Sequence, residues 1–120
     1  MTRVRTPREV AEAFSLHRFR DAYDTLAPDV VWTAVGAGQT VGREAVVRTC
    51  ESLLHDLAGT AVTVERVLTV ADGDAVAVDA VTRYADPGGG RSVVSACDLY
   101  EFRDGAVAAI RSYAVELEAG

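Results

Sequence analysis

From residue 61 onward the chain is patterned as consecutive strands joined by tight turns. Between the apolar runs lie clusters of Asp, Gly and Pro, which are typical turn residues. Strands joined by short turns pair in antiparallel order, and runs of this length twist and curve. The sequence therefore predicts a curved, four-stranded antiparallel meander. Its strands are expected over about 61–70, 75–85, 91–103 and 106–116.

The residues before the meander have mainly helical periodicity. Thr6-Pro7-Arg8-Glu9 has the composition of a capping box with proline at the first helical position, which predicts a first helix over about 7–19. Helices followed by a meander define an α+β fold with the order α-α-β-α-β-β-β-β. The remaining predicted elements are a short helix over 21–27, a strand over 30–35, a glycine loop over 36–42 and a long helix with an apolar stripe over 46–57.

Composition limits the architecture and the partners. The 120 residues are 49% hydrophobic and contain no repeat or linker, so we expect residues 1–120 to form a single domain. The formal net charge is −6, and no basic stripe runs along the chain, which disfavours nucleic acid as a partner. We see no segment of membrane-spanning length, and we expect a cytoplasmic protein with no membrane partner.

The cysteines and histidines predict neither a disulfide bond nor a metal site. Cys50 and Cys97 lack metal-ligand spacing and are expected to be buried free thiols in a reducing compartment. His17 and His55 lie far apart with no carboxylate at ligand spacing, so no zinc site is expected. We interpret His17 as a charge near the end of the first helix rather than as a catalytic base.

Asp98 is the strongest candidate for a functional residue. Strand alternation places it on one face with Ala96, Tyr100 and Phe102, and an acid on an aromatic wall indicates a binding pocket. Apolar neighbours would raise the pKa of Asp98 and allow it to donate a hydrogen bond while neutral. The alternative is a structural acid that is hydrogen-bonded to Tyr84 or to a helix end.

The order of elements resembles the nuclear transport factor 2-like superfamily, particularly its SnoaL-like branch. The resemblance rests on Tyr-Asp-Thr-Leu-Ala-Pro-Asp-Val-Val-Trp at 23–32, Val-Gly-Arg-Glu-Ala-Val at 41–46, and Asp-Leu-Tyr-Glu-Phe-Arg-Asp-Gly at 98–105 leading into Ile-Arg-Ser-Tyr at 110–113. It implies a cone whose strongly curved, mostly antiparallel sheet encloses a ligand pocket, while the outer face contacts a second subunit. On the last strand it places Ala108, Ile110 and Ser112 inside the cone, and Val107 and Ala109 outside.

The same resemblance implies site residues. The position of Asp98 is similar to that of the oxyanion-hole acid of ketosteroid isomerase, but Ala34 and Val10 stand where that enzyme has its base and its tyrosine. SnoaL-type cyclases and limonene-type epoxide hydrolases place an acid where this chain has Ser112, and the hydrolases also need an Arg-x-Asp arrangement that the chain lacks. By polarity, the candidates for a partner of Asp98 are Tyr84, Tyr100, Tyr23 and His17, and we assign catalytic roles to Asp98 and Tyr84. The expected substrate-binding residues are Trp32, Tyr100, Phe102, Phe14, Tyr23, Ile110 and Ser112.

Two functions follow from this reading. The first is a homodimer that binds a small hydrophobic molecule, similar to a polyketide, steroid or terpenoid, and isomerises, cyclises or dehydrates it with Asp98 as the acid and without a cofactor. The second is a non-catalytic dimeric scaffold for ligand binding or interaction. Cavity volume discriminates between them, because a core in which Trp32, Tyr84, Tyr100 and Phe102 collapse on one another favours the scaffold.

Overall fold

In the computed structural model, which describes residues 5–117, two α-helices lie against one curved, six-stranded sheet. The strand order is β2-β1-β6-β5-β4-β3, and every pair is antiparallel except β1–β6. The α+β class and the mostly antiparallel sheet are confirmed. The elements are α1 (Pro7–Ser15), β1 (Leu26–Ala34), β2 (Gly38–Val41), α2 (Arg43–Asp56), β3 (Ala61–Asp72), β4 (Ala75–Ala85), β5 (Arg91–Arg103) and β6 (Ala106–Leu117).

The first helix is shorter than its pattern predicts. Its capping box forms as expected, because the Thr6 hydroxyl accepts from the Glu9 amide at 3.1 Å and the Glu9 carboxylate accepts from the Thr6 amide at 3.0 Å. The helix ends at Ser15 because His17 adopts a left-handed φ of +67°. The two 3₁₀ turns Phe19–Asp21 and Tyr23–Thr25 replace the predicted second helix.

The strands differ from the predictions mainly in the N-terminal half. All four meander strands are confirmed to within two residues at each end. In contrast, β1 begins at Leu26, before the predicted strand, and the predicted glycine loop contains β2, which pairs with β1 along Trp32 and Thr40. A four-residue edge strand among glycines has too few residues to show an alternating pattern.

A β-bulge reverses the predicted orientation at the start of β6. Phe102 pairs with Val107 but Glu101 pairs with Ala109, so Ala108 is the extra residue. Val107, which simple alternation places on the outer face, is therefore turned into the core, where 1% of its surface is exposed. Beyond the bulge the expected alternation holds, and Ile110 is fully buried on the concave side.

The core lies between the helices and the concave face of the sheet. α1 packs against β3, β4 and β5, whereas α2 packs against β1 and β2. Val10 and Phe14 from α1 meet Val46 and Cys50 from α2 in one apolar cluster with Tyr100 at its base. Within residues 5–117, neither helix has the length and apolar character needed to cross a membrane.

The bulge can be tested with two matched valine-to-alanine substitutions. We expect Val107→Ala to lower the free energy of unfolding by about 2 kcal/mol, because it removes buried methyl groups and leaves a cavity. Val41→Ala, at a strand residue that is 63% exposed, should change it by less than about 0.5 kcal/mol. Urea denaturation measures both, and equal losses would mean that Val107 faces outward.

Candidate functional site

A cavity of about 210 Å³ lies between the end of α1 and the concave face of the sheet. Three alanines create the space, since Ala80, Ala96 and Ala114 occupy paired positions on β4, β5 and β6 and line the cavity together. Larger side chains at these positions would fill it. The apolar walls around the alanines are formed by Phe14, Phe19, Trp32, Leu53 and Val94.

Asp98 lies at the inner end of this cavity and is held by the end of α1. The Ser15 hydroxyl donates a hydrogen bond to Asp98 Oδ2 at 2.7 Å. Tyr100 Oη lies 2.5 Å from Ser15 Oγ and donates to it when the Ser15 proton is used for Asp98. Because Ser15 ends α1, the expected alternative of an acid bonded to a helix end correctly describes this contact.

Ser112 lies beside Asp98 on the neighbouring strand. Trp32 Nε1 donates to Ser112 Oγ at 2.9 Å, and Ser112 lies directly opposite Asp98 in the β5–β6 register. Both residues line the cavity. The carboxyl group of Asp98 therefore has a polar neighbour on β6 in addition to the Ser15 hydroxyl.

Burial controls the protonation of this cluster. Desolvation raises the pKa of Asp98, and hydrogen bonds from Ser112 and Ser15, together with the charge of His17, offset part of the increase. Desolvation also raises the pKa of Tyr100 well above its usual range, so its phenol stays neutral. The inner end of the cavity therefore holds a carboxyl group that takes up a proton more readily than it would in water.

The outer end of the cavity is formed by His17 and Tyr84. His17 Nε2 lies 3.1 Å from Tyr84 Oη, and the imidazole packs edge-to-face on Phe19 with ring centroids 5.7 Å apart. Burial lowers the pKa of His17, with a smaller opposing effect of Asp98. Our interpretation of His17 as a helix-end charge was wrong, because the true end of α1 turns its side chain into the cavity wall.

Outside the cavity lies a groove of about 580 Å³. His17, Leu53, Tyr84 and Val94 line both spaces, so the cavity continues into the groove at this end. The outer part of the groove is more polar, with Asp56, Asp86 and Arg91 among its lining residues. The cavity is therefore apolar in its middle and polar at both ends.

The predicted site residues separate into three groups. Asp98, Tyr84, Trp32, Phe14 and Ser112 line the cavity together. Tyr100, Phe102 and Ile110 lie deeper in the core, where Tyr100 reaches the site only through the Ser15 hydroxyl. Tyr23 lies apart from the cavity wall and donates to Glu51 at 2.7 Å, so the geometry does not support its predicted binding role.

Sequence reasoning missed Ser15 in the cavity wall. The position of its hydroxyl depends on where α1 ends, which the apolar spacing along the helix does not report. In the part of the chain that the structure describes, no group of three or more His, Cys, Asp or Glu side chains is placed to hold a metal ion.

A family profile described as a SnoaL-like domain matches residues 8–110 of the chain. The chain belongs to the SnoaL-like domain family. This confirms the resemblance that the sequence suggested and the cone-like fold that it implied. No curated protein gives a significant match.

Solved structures support the same fold. An NTF2-like protein of unknown function from Cytophaga hutchinsonii ATCC 33406 is 25% identical with a TM-score of 0.77, over 88% of this chain and 93% of that chain. An LEH-like epoxide hydrolase from M. tuberculosis is 26% identical with a TM-score of 0.64, over 91% and 82%. A candidate SnoaL-like polyketide cyclase from Jannaschia sp. CCS1 is 21% identical with a TM-score of 0.69, over 95% and 89%.

The raised pKa of Asp98 predicts a specific pH dependence of stability. A folded-state pKa above the unfolded value of 3.8 gives stability that is fully present below 3.8 and is lost as the pH rises through the folded pKa. We therefore expect Asp98→Asn to be more stable than the wild type at neutral pH. This advantage should shrink as the pH falls towards 3.8.

Urea denaturation across this pH range measures the difference between the two proteins. Asp72→Asn, at an exposed residue at the end of β3, controls for the loss of one negative charge. A stability difference between wild type and Asp98→Asn that stays constant with pH would contradict a buried acid with a raised pKa.

Proposed function

We propose that the protein binds a small, mainly apolar molecule in the cavity and that Asp98 exchanges a proton with it. The observation that carries this proposal is the carboxyl group of Asp98 at the inner end of an apolar space, where it is hydrogen-bonded by Ser15 and lies opposite Ser112. A structural acid would need hydrogen-bond partners but no adjacent cavity. An acid that acts on a ligand needs both.

The chemistry follows from the raised pKa of Asp98. A neutral carboxyl group donates a hydrogen bond to a carbonyl or epoxide oxygen and stabilises the negative charge that develops there. Such donation promotes enolisation when solvent water, entering from the groove, takes up the proton from the carbon next to the carbonyl. The enol is the intermediate from which isomerisation, cyclisation or dehydration proceeds. Tyr84 is the second group that we assign to the reaction, at the opposite end of the cavity.

Cavity size restricts the substrate. The inner cavity of about 210 Å³ is smaller than the roughly 300–1,000 Å³ of common ligand pockets. A compact mono- or bicyclic molecule fits this space, whereas a steroid or a long polyketide would extend into the groove. The fold is shared with an epoxide hydrolase and with a candidate polyketide cyclase. The names of both proteins refer to oxygen-containing molecules, which is consistent with the proposal.

Proton transfer can be tested with 1-tetralone, a bicyclic ketone with exchangeable hydrogens next to its carbonyl. We expect the wild type to accelerate exchange of these hydrogens in D₂O, followed by ¹H NMR, because Asp98 stabilises the enol. Asp98→Asn should reduce the acceleration by roughly 100-fold, a common contribution of one acid–base group. Equal rates for both proteins would rule out the catalytic role.

Binding is tested separately by filling the cavity. Ala96→Leu places extra methyl groups between the two polar ends, so ligand-induced thermal stabilisation by 1-tetralone should disappear. Ala75→Leu, at an exposed position at the start of β4 and outside the cavity, is the matched control and should retain the shift. Steroids, aromatic polyketides and terpenoid epoxides extend the screen, and the absence of any stabilising ligand would remove the proposal.

We also propose that the convex face of the sheet joins two copies of the chain. Leu68 and Val70 on β3 and Tyr113 and Val115 on β6 project from this face and are each more than two-fifths exposed. These two apolar pairs lie on separate strands of one sheet face, and exposed apolar side chains on such a face are a frequent site of association. The same surface would serve a non-catalytic dimeric scaffold, which is the second candidate function.

Light scattering during size-exclusion chromatography tests the dimer. We expect a dimer for the wild type and a monomer for Val70→Asp, because the charge would be buried in the contact. Val62→Asp adds the same charge to β3 on its concave side and should remain dimeric. A wild type that is monomeric at micromolar concentration would contradict this interface.

A further inference from the structure

The two polar ends of the cavity are spaced for two different atoms of one ligand. Asp98 and Tyr84 line the cavity on neighbouring strands, but their register places them several residue pairs apart, with Ala80 and Ala96 between them. Tyr84 also lines the outer groove, whereas Asp98 lines the inner cavity. A ligand that reaches from one end to the other would contact both groups.

The position of the proton on His17 determines what Tyr84 can offer. His17 Nδ1 is buried and has no hydrogen-bond partner, whereas Nε2 faces Tyr84 Oη. An orphaned N–H is rarer in proteins than an orphaned acceptor, so the single proton of the neutral imidazole belongs on Nε2. His17 then donates to the Tyr84 oxygen, and the phenolic proton of Tyr84 is left for another acceptor.

Burial keeps the Tyr84 phenol protonated. Desolvation raises the pKa of Tyr84, so the phenolic proton is present to be donated. Tyr84 is therefore a neutral hydrogen-bond donor whose oxygen is already engaged.

The backbone at His17 carries a cost that a purely structural residue would avoid. His17 follows the C-cap of α1, and the Arg18 amide donates to the Ala13 carbonyl at 2.8 Å, a helix ending that favours glycine. A side chain with left-handed φ is less favourable there than glycine. Glycine would be more favourable at this position, yet the chain has a histidine whose imidazole contacts Tyr84.

We infer that Tyr84 donates a hydrogen bond to a second oxygen of the ligand, so that the cavity selects compact molecules with one oxygen acceptor at each end. His17 is the positioning residue that fixes the direction of this bond. The inference rests on the proposed function, because it takes the first ligand oxygen to be the one that meets Asp98. It narrows the substrate class to bicyclic ketones with a second oxygen opposite the carbonyl.

Two isosteric probes test this inference. In 6-methoxy-1-tetralone an ether oxygen lies opposite the ketone, and 6-ethyl-1-tetralone replaces that oxygen by a methylene group. The methoxy group accepts a hydrogen bond and cannot donate one, so a preference for it reports a donor in the protein. Calorimetric titration gives the ratio of the two dissociation constants for each variant.

We expect Tyr84→Phe to shift this ratio about tenfold towards the ethyl probe, the effect of one hydrogen bond of about 1.4 kcal/mol. Retained binding of the ethyl probe shows that the variant is folded. A ratio that Tyr84→Phe leaves unchanged would overturn the inference while the proposed function stands. Failure of both probes to bind the wild type would overturn the two together.

The role of His17 has its own readout. We expect ¹⁵N NMR of the free protein to show the proton on Nε2, and His17→Gly, which removes the donor and relieves the backbone, to shift the probe ratio in the same direction as Tyr84→Phe. A proton on Nδ1 would reverse the Tyr84 bond and overturn the inference. A ratio unchanged in His17→Gly would remove the positioning role.

Discussion

The hydrogen bond from Ser15 to Asp98 connects the two layers of this fold. Ser15 is the last residue of α1, and Asp98 lies in the middle of the concave face. A carboxyl group in an apolar wall costs free energy unless it is hydrogen-bonded, so this contact stabilises both the buried acid and the position of the helix end. The cavity exists because α1 ends at Ser15, above the alanine row formed by Ala80, Ala96 and Ala114, and does not cover these residues.

The left-handed turn at His17 has a related consequence. It ends α1 at Ser15, four residues before the predicted end at residue 19, and the chain continues into the 3₁₀ turn at Phe19. One backbone angle thus brings the hydroxyl of Ser15 and the imidazole of His17 to the same cavity, at opposite ends. The left-handed conformation that is unfavourable for a histidine is what gives the outer end its polar group.

The parts of the fold that depend on local pattern were predictable from the sequence. Turn residues and alternation predicted all four meander strands, and the family resemblance, which assigned the two faces of the sheet, correctly placed Asp98, Trp32 and Ser112 on the concave one. The bulge before Val107 and the end of α1 depend on tertiary packing, which local periodicity does not report. Alternation also gives the face of a residue but not its depth, which is why Ile110 was expected in the cavity wall and lies in the core.

The alanine row favours the ligand-binding proposal over a scaffold. A scaffold gains stability from a filled core, and valine or leucine at Ala80 or Ala96 would add buried apolar area on the existing backbone. The chain instead leaves a space between a buried acid and a strained histidine, two features that each lower stability. A ligand that occupies the cavity accounts for the empty space, the buried acid and the left-handed histidine together, whereas a purely structural explanation needs a separate cause for each. The convex face, which carries exposed apolar side chains together with the ion pairs Arg83–Glu65 and Arg111–Glu101, is compatible with either function.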